Sequence, residues 1–158
     1  MKNLVNKIIL SIGSNVGDRI KNLENCMMEL SKIVHILKVS SIYESEALIY
    51  ENQRNFFNLV IEVDYKDSPQ NLLKDIKSIE KRMGRKKTFK YGPRLIDIDI
   101  IFFNNIKLEE KNLTIPHYDW ENRRFVIEPL SELFKNFSLL DYKIDGQKLV
   151  KVGTIDYK

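Results

Sequence analysis

A run of alternating apolar and acidic residues near position 100 constrains the fold most strongly, because it has the two-residue period of a β-strand. Residues 96–100 read Ile-Asp-Ile-Asp-Ile and continue into Ile-Phe-Phe. Side chains two residues apart on a strand point to the same face, so Asp97 and Asp99 share one face and the isoleucines share the other. Asp is depleted in strands and close carboxylates repel each other, so the pair favours a bound cation. The alternative is an edge strand that its charges keep soluble.

The periodicity of the remaining chain predicts an α+β domain of the ferredoxin-like type. Apolar residues at three- and four-residue steps predict helices over 19–34 and 69–83, and strands are expected at 8–12, 36–43 and 57–63. With the acidic strand the order is β-α-β-β-α-β, which forms an antiparallel sheet with both helices on one face. The other face, which carries the two aspartates, is then free for a ligand.

The remaining segments are expected to be less regular. Residues 44–55 and 114–119 are predicted loops, and a long polar loop in a compact domain is often functional. Additional C-terminal elements are a short helix over 123–134, interrupted by Pro129, and an edge strand over 149–152. His35, placed at the end of a helix, is expected to be structural.

Length and composition indicate a soluble globular protein with one domain over residues 1–158. The chain is 43% hydrophobic and 30% charged, which excludes a disordered protein. Cys26 is the only cysteine, so an internal disulfide is excluded, and the N-terminal apolar run is too short for a signal or a membrane span. We therefore expect a cytoplasmic location.

A basic block precedes the acidic strand and attracts phosphate. Its seven cationic residues are Lys81, Arg82, Arg85, Lys86, Lys87, Lys90 and Arg94. A solvated loop in a Lys-rich chain is an equally weighted alternative. Two hard carboxylates beside such a block suit Mg²⁺, whose other ligands would be water and substrate phosphates. The combination is typical of metal-assisted phosphoryl transfer.

Two smaller groups of residues are candidates for ligand contacts. His117 and the nearby Arg123 place donors for phosphate or an adenine edge in one loop region, although a lone His is more often structural. Phe56 and Asn58 share a strand face and could hold a flat heterocycle by stacking and paired hydrogen bonds. Ordinary core packing is the alternative for Phe56.

Several motifs occur in an order that resembles one enzyme family. They are Ile-Gly-Ser-Asn (12–15) with Gly17-Asp18, Asn-Phe-Phe-Asn (55–58), Ile79-Glu80 with Gly84-Arg85, Tyr-Gly-Pro-Arg-Leu-Ile-Asp-Ile-Asp-Ile (91–100), Leu-Thr-Ile-Pro-His (113–117) and Arg-Arg-Phe-Val-Ile-Glu-Pro-Leu (123–130). From about residue 8 to residue 133 the chain resembles 6-hydroxymethyl-7,8-dihydropterin pyrophosphokinases.

The resemblance implies an enzyme of folate biosynthesis that moves pyrophosphate from ATP to the hydroxymethyl oxygen of the pterin and leaves AMP. It implies that Asp97 and Asp99 bind two Mg²⁺ ions and that Arg85 and Arg94 act with them in catalysis. The implied nucleotide-binding positions are Glu80, Lys87, Tyr91, Ile98, Thr114, His117, Tyr118 and Arg123. The implied pterin-binding positions are Ser45, Leu48, Phe56, Asn58 and Phe125. The expected partners are these two substrates, without nucleic acid or membrane, and the expected state is a monomer.

This chain departs from the family pattern at four places. Residues 45–50 read Ser-Glu-Ala-Leu-Ile-Tyr where relatives usually carry Pro and Gly, Phe56 replaces a common Tyr, Tyr91 replaces a common Trp, and the basic loop is slightly short. Two other functions share the predicted features. An RNA-binding module can have the same topology, and a metal-dependent nuclease can use the same acidic pair.

Overall fold

The fold was analysed in a computed structural model, which describes residues 6–47, 52–85 and 92–157. The strands are β1 (Ile8–Ser14), β2 (His35–Val39), β3 (Ile42–Ser45), β4 (Phe56–Asp64), β5 (Asp97–Phe103), β6 (Leu108–Glu110), β7 (Leu113–Ile115) and β8 (Leu149–Gly153). The α-helices are α1 (Arg19–Leu30), α2 (Pro69–Arg82) and α3 (Arg124–Leu133).

The main sheet has the predicted ferredoxin-like topology. In the described residues it contains six strands in the order β5-β1-β4-β3-β8, and β2 also pairs with β4. All of its pairings are antiparallel. Asp18 caps α1 by accepting the Lys21 N–H, and Ser68 caps α2 by accepting the Asn71 N–H, each at 3.1 Å. The α+β prediction is confirmed.

Helices α1 and α2 cover one face of the sheet, as expected from the alternation in the strands. Ile98 and Ile100 of β5 join Leu23 and Met27 of α1 and Ile76 of α2 in this core. Asp97 and Asp99 therefore lie on the opposite face. The expected division of β5 into an apolar side and an acidic side is confirmed.

The opposite face is not fully open, which corrects the expectation that it was free for ligand. Helix α3 packs on it, and its Val126 and Leu130 form a second core with Ile9 of β1 and Val60 of β4. A β-bulge allows this, because the register shifts between Ile9 and Leu10 so that Ile101 is an extra residue on β5. Ile101 and Phe102 consequently both belong to the α3 side, and the acidic end of β5 remains uncovered.

Four local predictions were wrong at the level of element boundaries. The strand expected over 36–43 is divided at Ser40 and Ser41, because the Ser40 hydroxyl accepts the Val60 N–H at 2.9 Å and the Ser41 N–H donates to Glu132 of α3. Helix α1 ends before Ser31, so His35 begins β2 and does not end a helix.

The other two differences lie in the second half of the chain. Thr114 and Ile115, expected in a loop, belong to β7, which pairs with β6 in a hairpin. Pro129 lies inside α3 without interrupting it, because the helix is held on the sheet by its buried apolar face.

Strand β8 extends the sheet at its β3 edge, which confirms the predicted edge strand near 149–152. Ile155 and Tyr157, which follow it, pack against the first core. Within the described residues no helix is long and apolar enough to cross a membrane.

Candidate active site

A cavity of about 260 Å³ occupies the uncovered half of the sheet, beside α3. Strands β1, β3, β4 and β5 form its floor, and the segments around Gly92 and His117 form its walls. Its lining residues are Ser11, Gly13, Ser45, Glu46, Phe56, Asn58, Arg85, Gly92, Arg94, Asp97, Asp99, His117, Tyr118, Arg123 and Phe125. The fold thus brings eleven of the predicted site residues into one cavity.

The two aspartates lie between arginines from different segments. Arg85 Nη2 is 3.4 Å from Asp97 Oδ1, and Arg123 Nη1 is 3.8 Å from Asp99 Oδ2. Although 34% of the Asp99 side chain remains exposed, partial loss of water and the charge of Asp97 raise the pKa of Asp99 to about 7. The arginines therefore do not fully compensate the two negative charges.

Glu80 anchors one of these arginines from below the cavity. Its side chain is 2% exposed and does not line the cavity, whereas the sequence predicted it on the nucleotide side. Glu80 Oε2 accepts the Ile98 N–H at 2.9 Å, and Oε1 is 2.8 Å from Arg85 Nη1. Glu80 therefore fixes Arg85 relative to β5, next to Asp97.

Of the other residues predicted on the nucleotide side, some line the cavity and some do not. The Ile98 side chain is buried in the first core and does not line the cavity. Thr114 of β7 lines a separate depression that shares His117 and Tyr118 with the cavity. Arg123 lies 5.6 Å from the centre of the Phe125 ring and its Nε is 3.3 Å from Asp119 Oδ2, so it is held from two sides.

His117 is held as a neutral ring beside the cavity. Its backbone N–H donates to the carbonyl of Ile101, the bulge residue of β5, at 2.9 Å. Its Nδ1 accepts the Asp119 N–H at 3.1 Å, so the proton of the neutral ring is on Nε2. Burial and the nearby Arg123 charge lower the pKa of His117 to about 4. At neutral pH the imidazole can donate one hydrogen bond but contributes no positive charge.

An amide and aromatic rings form the other end of the cavity. Asn58 Nδ2 donates to Ser45 Oγ at 2.8 Å and to the Tyr43 carbonyl at 3.2 Å, so its orientation is set by β3. Phe56 lies on the same strand and Phe125 comes from α3. Gly13 allows this arrangement, because a Cβ there would be 3.0 Å from Asn58 Oδ1 and 3.4 Å from Phe56 Cδ1.

Three predicted site residues, Leu48, Lys87 and Tyr91, lie outside the described residues. Sequence reasoning missed four other cavity residues, namely Ser11, Gly13, Glu46 and Gly92. The alternation of β1 could have indicated Ser11 and Gly13, because both share a face of that strand and face the same side as Asp99 through the pairing of Ser11 with Asp99. Glu46 is 3.7 Å from Lys148, a contact that no local pattern predicts.

The carboxylates fit a divalent cation that completes its coordination with other ligands. Within the described parts of the chain, no cluster of three or more His, Cys, Asp or Glu side chains is arranged to bind a metal ion. Two hard oxygen ligands beside an open cavity suit Mg²⁺, which keeps several waters and often shares substrate phosphates. The raised pKa of Asp99 indicates a carboxylate pair that a bound cation would stabilise.

Together the fold and the site define a class of α+β enzyme. One end of its cavity suits phosphates, and the other end suits a flat heterocycle. Comparison with known proteins agrees. The chain belongs to the 7,8-dihydro-6-hydroxymethylpterin-pyrophosphokinase family, which it matches over residues 9–135.

Individual relatives support this membership. The chain is 43% identical over 129 residues to the 2-amino-4-hydroxy-6-hydroxymethyldihydropteridine pyrophosphokinase of Aquifex aeolicus, covering 82% of this chain and 81% of the relative. It is 42% identical over 132 residues to folic acid synthesis protein FOL1 of Dictyostelium discoideum, covering 84% of this chain but only 20% of that longer protein.

A solved structure shares the fold. It is described as an HPPK-DHPS in complex with substrates, and it superposes with a TM-score of 0.62 at 20% identity. The match covers 88% of this chain and 42% of that chain, so this chain corresponds to less than half of that protein.

Proposed function

We propose that this protein transfers the pyrophosphoryl group of ATP to the hydroxymethyl oxygen of 6-hydroxymethyl-7,8-dihydropterin, in folate biosynthesis. The hydroxymethyl oxygen attacks the β-phosphorus of ATP, the bond from that phosphorus to the α–β bridging oxygen breaks, and AMP leaves. The hydroxyl proton is lost in the same reaction. The family membership and the two chemically different ends of one cavity support this proposal.

The observation that carries the proposal is the carboxylate pair among arginines. We propose that Asp97 and Asp99 hold two Mg²⁺ ions, which when bound neutralise the charge on the β- and γ-phosphates. Arg85 and Arg94 would bind phosphate oxygens from the basic side of the cavity, and Arg123 would do so from the α3 side. Donors held in advance at developing negative charge are usually the largest contribution to catalysis of such transfers.

At the other end, the pterin would stack between Phe56 and Phe125. Asn58 would bind the polar edge of the ring, and Ser45 and Leu48 would add further contacts to it. Because Phe56, Asn58 and Phe125 line the same cavity as Asp97, a bound pterin could place its hydroxymethyl oxygen beside the phosphates. Such placement converts a two-substrate reaction into an effectively unimolecular one.

The nucleotide would occupy the side of the cavity towards His117. The neutral His117 ring would donate from Nε2 to a phosphate oxygen, and the 67% exposed Tyr118 would cover the bound nucleotide. Glu80 would act through Arg85, and Ile98 through its backbone. Lys87, Tyr91 and Thr114 complete the proposed nucleotide contacts.

We also propose that residues 1–158 form one catalytic domain that acts as a cytoplasmic monomer. The single cysteine is buried and free, which is consistent with a reducing compartment. Nucleic acid is not an expected partner, because α3 covers half of the sheet face that an RNA-binding module of this topology would use.

Product analysis tests the proposal. ATP, Mg²⁺ and 6-hydroxymethyl-7,8-dihydropterin are incubated with the protein, and AMP and ADP are separated. We expect AMP and the pterin diphosphate in equal amounts, and no AMP with 6-methyl-7,8-dihydropterin, which lacks the attacking oxygen. Formation of ADP would indicate an ordinary kinase, and release of nucleotides from added RNA or DNA would indicate a nuclease.

A further inference from the structure

Asn15, which follows β1, is a buried polar residue that joins two loops of the cavity. It is 2% exposed, yet it makes four hydrogen bonds to residues distant in sequence. Its backbone N–H donates to the Arg94 carbonyl at 3.0 Å, and its Oδ1 accepts the Arg94 N–H at 2.8 Å. Its Nδ2 donates to Gln53 Oε1 at 2.8 Å and to the Arg54 carbonyl at 3.0 Å.

The two sides of this amide hold different parts of the site. The Oδ1 side holds the backbone of Arg94, whose side chain lines the phosphate end of the cavity. The Nδ2 side holds residues 53 and 54, which lead directly into Phe56 at the aromatic end. One side chain therefore sets the position of both loops with separate atoms.

The turn that carries Asn15 is itself fixed. Asn22 Nδ2 donates to Ser14 Oγ at 3.1 Å and to the Val16 carbonyl at 2.7 Å, which ties the turn to α1. Arg54 Nη1 donates back to the Gly17 carbonyl at 2.9 Å, so residues 53 and 54 make three hydrogen bonds with the turn. Movement of either loop relative to the turn would break hydrogen bonds of a buried amide, which is costly.

We infer that Asn15 is a positioning residue that fixes the phosphate end and the heterocycle end of the site relative to each other. Its Oδ1 holds the phosphate end and its Nδ2 holds the heterocycle end. The inference rests on the proposed function for its kinetic consequences, but the hydrogen bonds that carry it are independent of the substrate. Asn15 itself does not line the cavity, so its effect on the reaction is exerted through Arg94 and through residues 53–54.

Two substitutions distinguish the effect of the Oδ1 hydrogen bond from the effect of the Nδ2 hydrogen bonds. Asn15→Asp keeps an acceptor for the Arg94 N–H but places a second oxygen against the Arg54 carbonyl, so only the heterocycle side is released. Asn15→Ala removes both sides. Ser68→Ala, which deletes the cap of α2 far from the cavity, is the control for a general loss of stability.

The first readout needs no substrate. Hydrogen exchange of the Arg94 amide, followed by NMR, should remain slow in Asn15→Asp and in Ser68→Ala. In Asn15→Ala it should be at least about tenfold faster, because the acceptor of that N–H is gone. Fast exchange in Asn15→Asp, or unchanged exchange in Asn15→Ala, would overturn the assignment of Oδ1 to Arg94.

The second readout is the kinetic split between the substrates. For Asn15→Asp we expect the KM for the pterin to rise about tenfold, with the KM for ATP within about twofold of wild type. For Asn15→Ala we expect kcat to fall about a hundredfold as well. Equal effects of the two variants, or the same losses in Ser68→Ala, would overturn the inference. If the wild-type protein forms no AMP, the proposed function fails instead, and the exchange experiment still decides the role of Asn15.

Discussion

Glu80→Gln tests whether a buried carboxylate is what holds Arg85 beside Asp97. The substitution keeps the shape of the side chain but replaces one acceptor oxygen by an NH₂ donor. The carboxylate accepts the Ile98 N–H with one oxygen and contacts Arg85 with the other. A glutamine can satisfy only one of these donors, and its own NH₂ then faces the other.

The expected loss follows from this single mismatch. A buried donor left unsatisfied costs about 1–3 kcal/mol, and breaking a buried ion pair costs about 3–5 kcal/mol. Because 23% of the Arg85 side chain is exposed and can gain water, we expect a loss of about 2–3 kcal/mol in the free energy of unfolding. For a chain of this length that lowers Tm by about 5–10 °C. We expect kcat to fall about a hundredfold, since the guanidinium at the phosphate end is no longer held in place.

Lys77→Met is the matched control for this test. Lys77 contacts the same carboxylate at 3.2 Å, but its side chain is 58% exposed. Its removal should cost less than about 1 kcal/mol and leave kcat unchanged. Urea unfolding and AMP formation are measured for both variants and wild type. A Glu80→Gln protein with kcat within about threefold of wild type would refute the argument that Glu80 positions Arg85 for catalysis.

Three further predictions test other parts of the site. Asp97→Asn should lower AMP formation by at least about a thousandfold, and a chelator added to the wild-type protein should do the same. The free energy of unfolding without metal should stay the same or rise, because the repulsion between Asp97 and Asp99 is removed. Full activity of the variant would refute the metal assignment. His117 has a folded pKa of about 4 against an ordinary 6.5, so the unfolded state binds the proton first as pH falls. Wild-type stability should therefore decline between pH 6.5 and 4 more steeply than that of His117→Asn in urea unfolding, and parallel pH profiles would contradict this. Gly13→Ala places a methyl group 3.0 Å from Asn58 Oδ1 and 3.4 Å from the Phe56 ring. It should raise the KM for the pterin about tenfold with little change in the KM for ATP, and equal increases in both would argue against a local effect.

The features that follow from local periodicity could be predicted from the sequence. Alternation placed Asp97 and Asp99 on one face because the strand period of two is a property of the backbone. The arrangement of helices and strands followed from similar patterns. The burial of Glu80 also had a local indication, because Leu72, Ile76 and Glu80 are four residues apart and share one stripe of α2.

The features that depend on distant contacts could not be predicted. Nothing local indicates that α3 crosses to the second face of the sheet, although Ile9 and Ile8 together show that β1 is apolar on both faces. The bulge at Ile101 is hidden in a continuous apolar run. The bonds of Asn15 join residues about 40 and 80 positions away, a separation at which a single sequence carries no pairing information.

Strand β8 has a practical consequence for where this protein can be cut or fused. The region shared with the family ends at residue 135, yet β8 is paired with β3, the strand that carries Ser45. A fragment ending there would leave the backbone donors and acceptors of β3 open to pairing with other chains, next to the aromatic end of the cavity. We therefore expect a fragment that keeps β8 to aggregate less than one that ends at residue 135, and a C-terminal fusion should begin beyond Tyr157, which packs on the core.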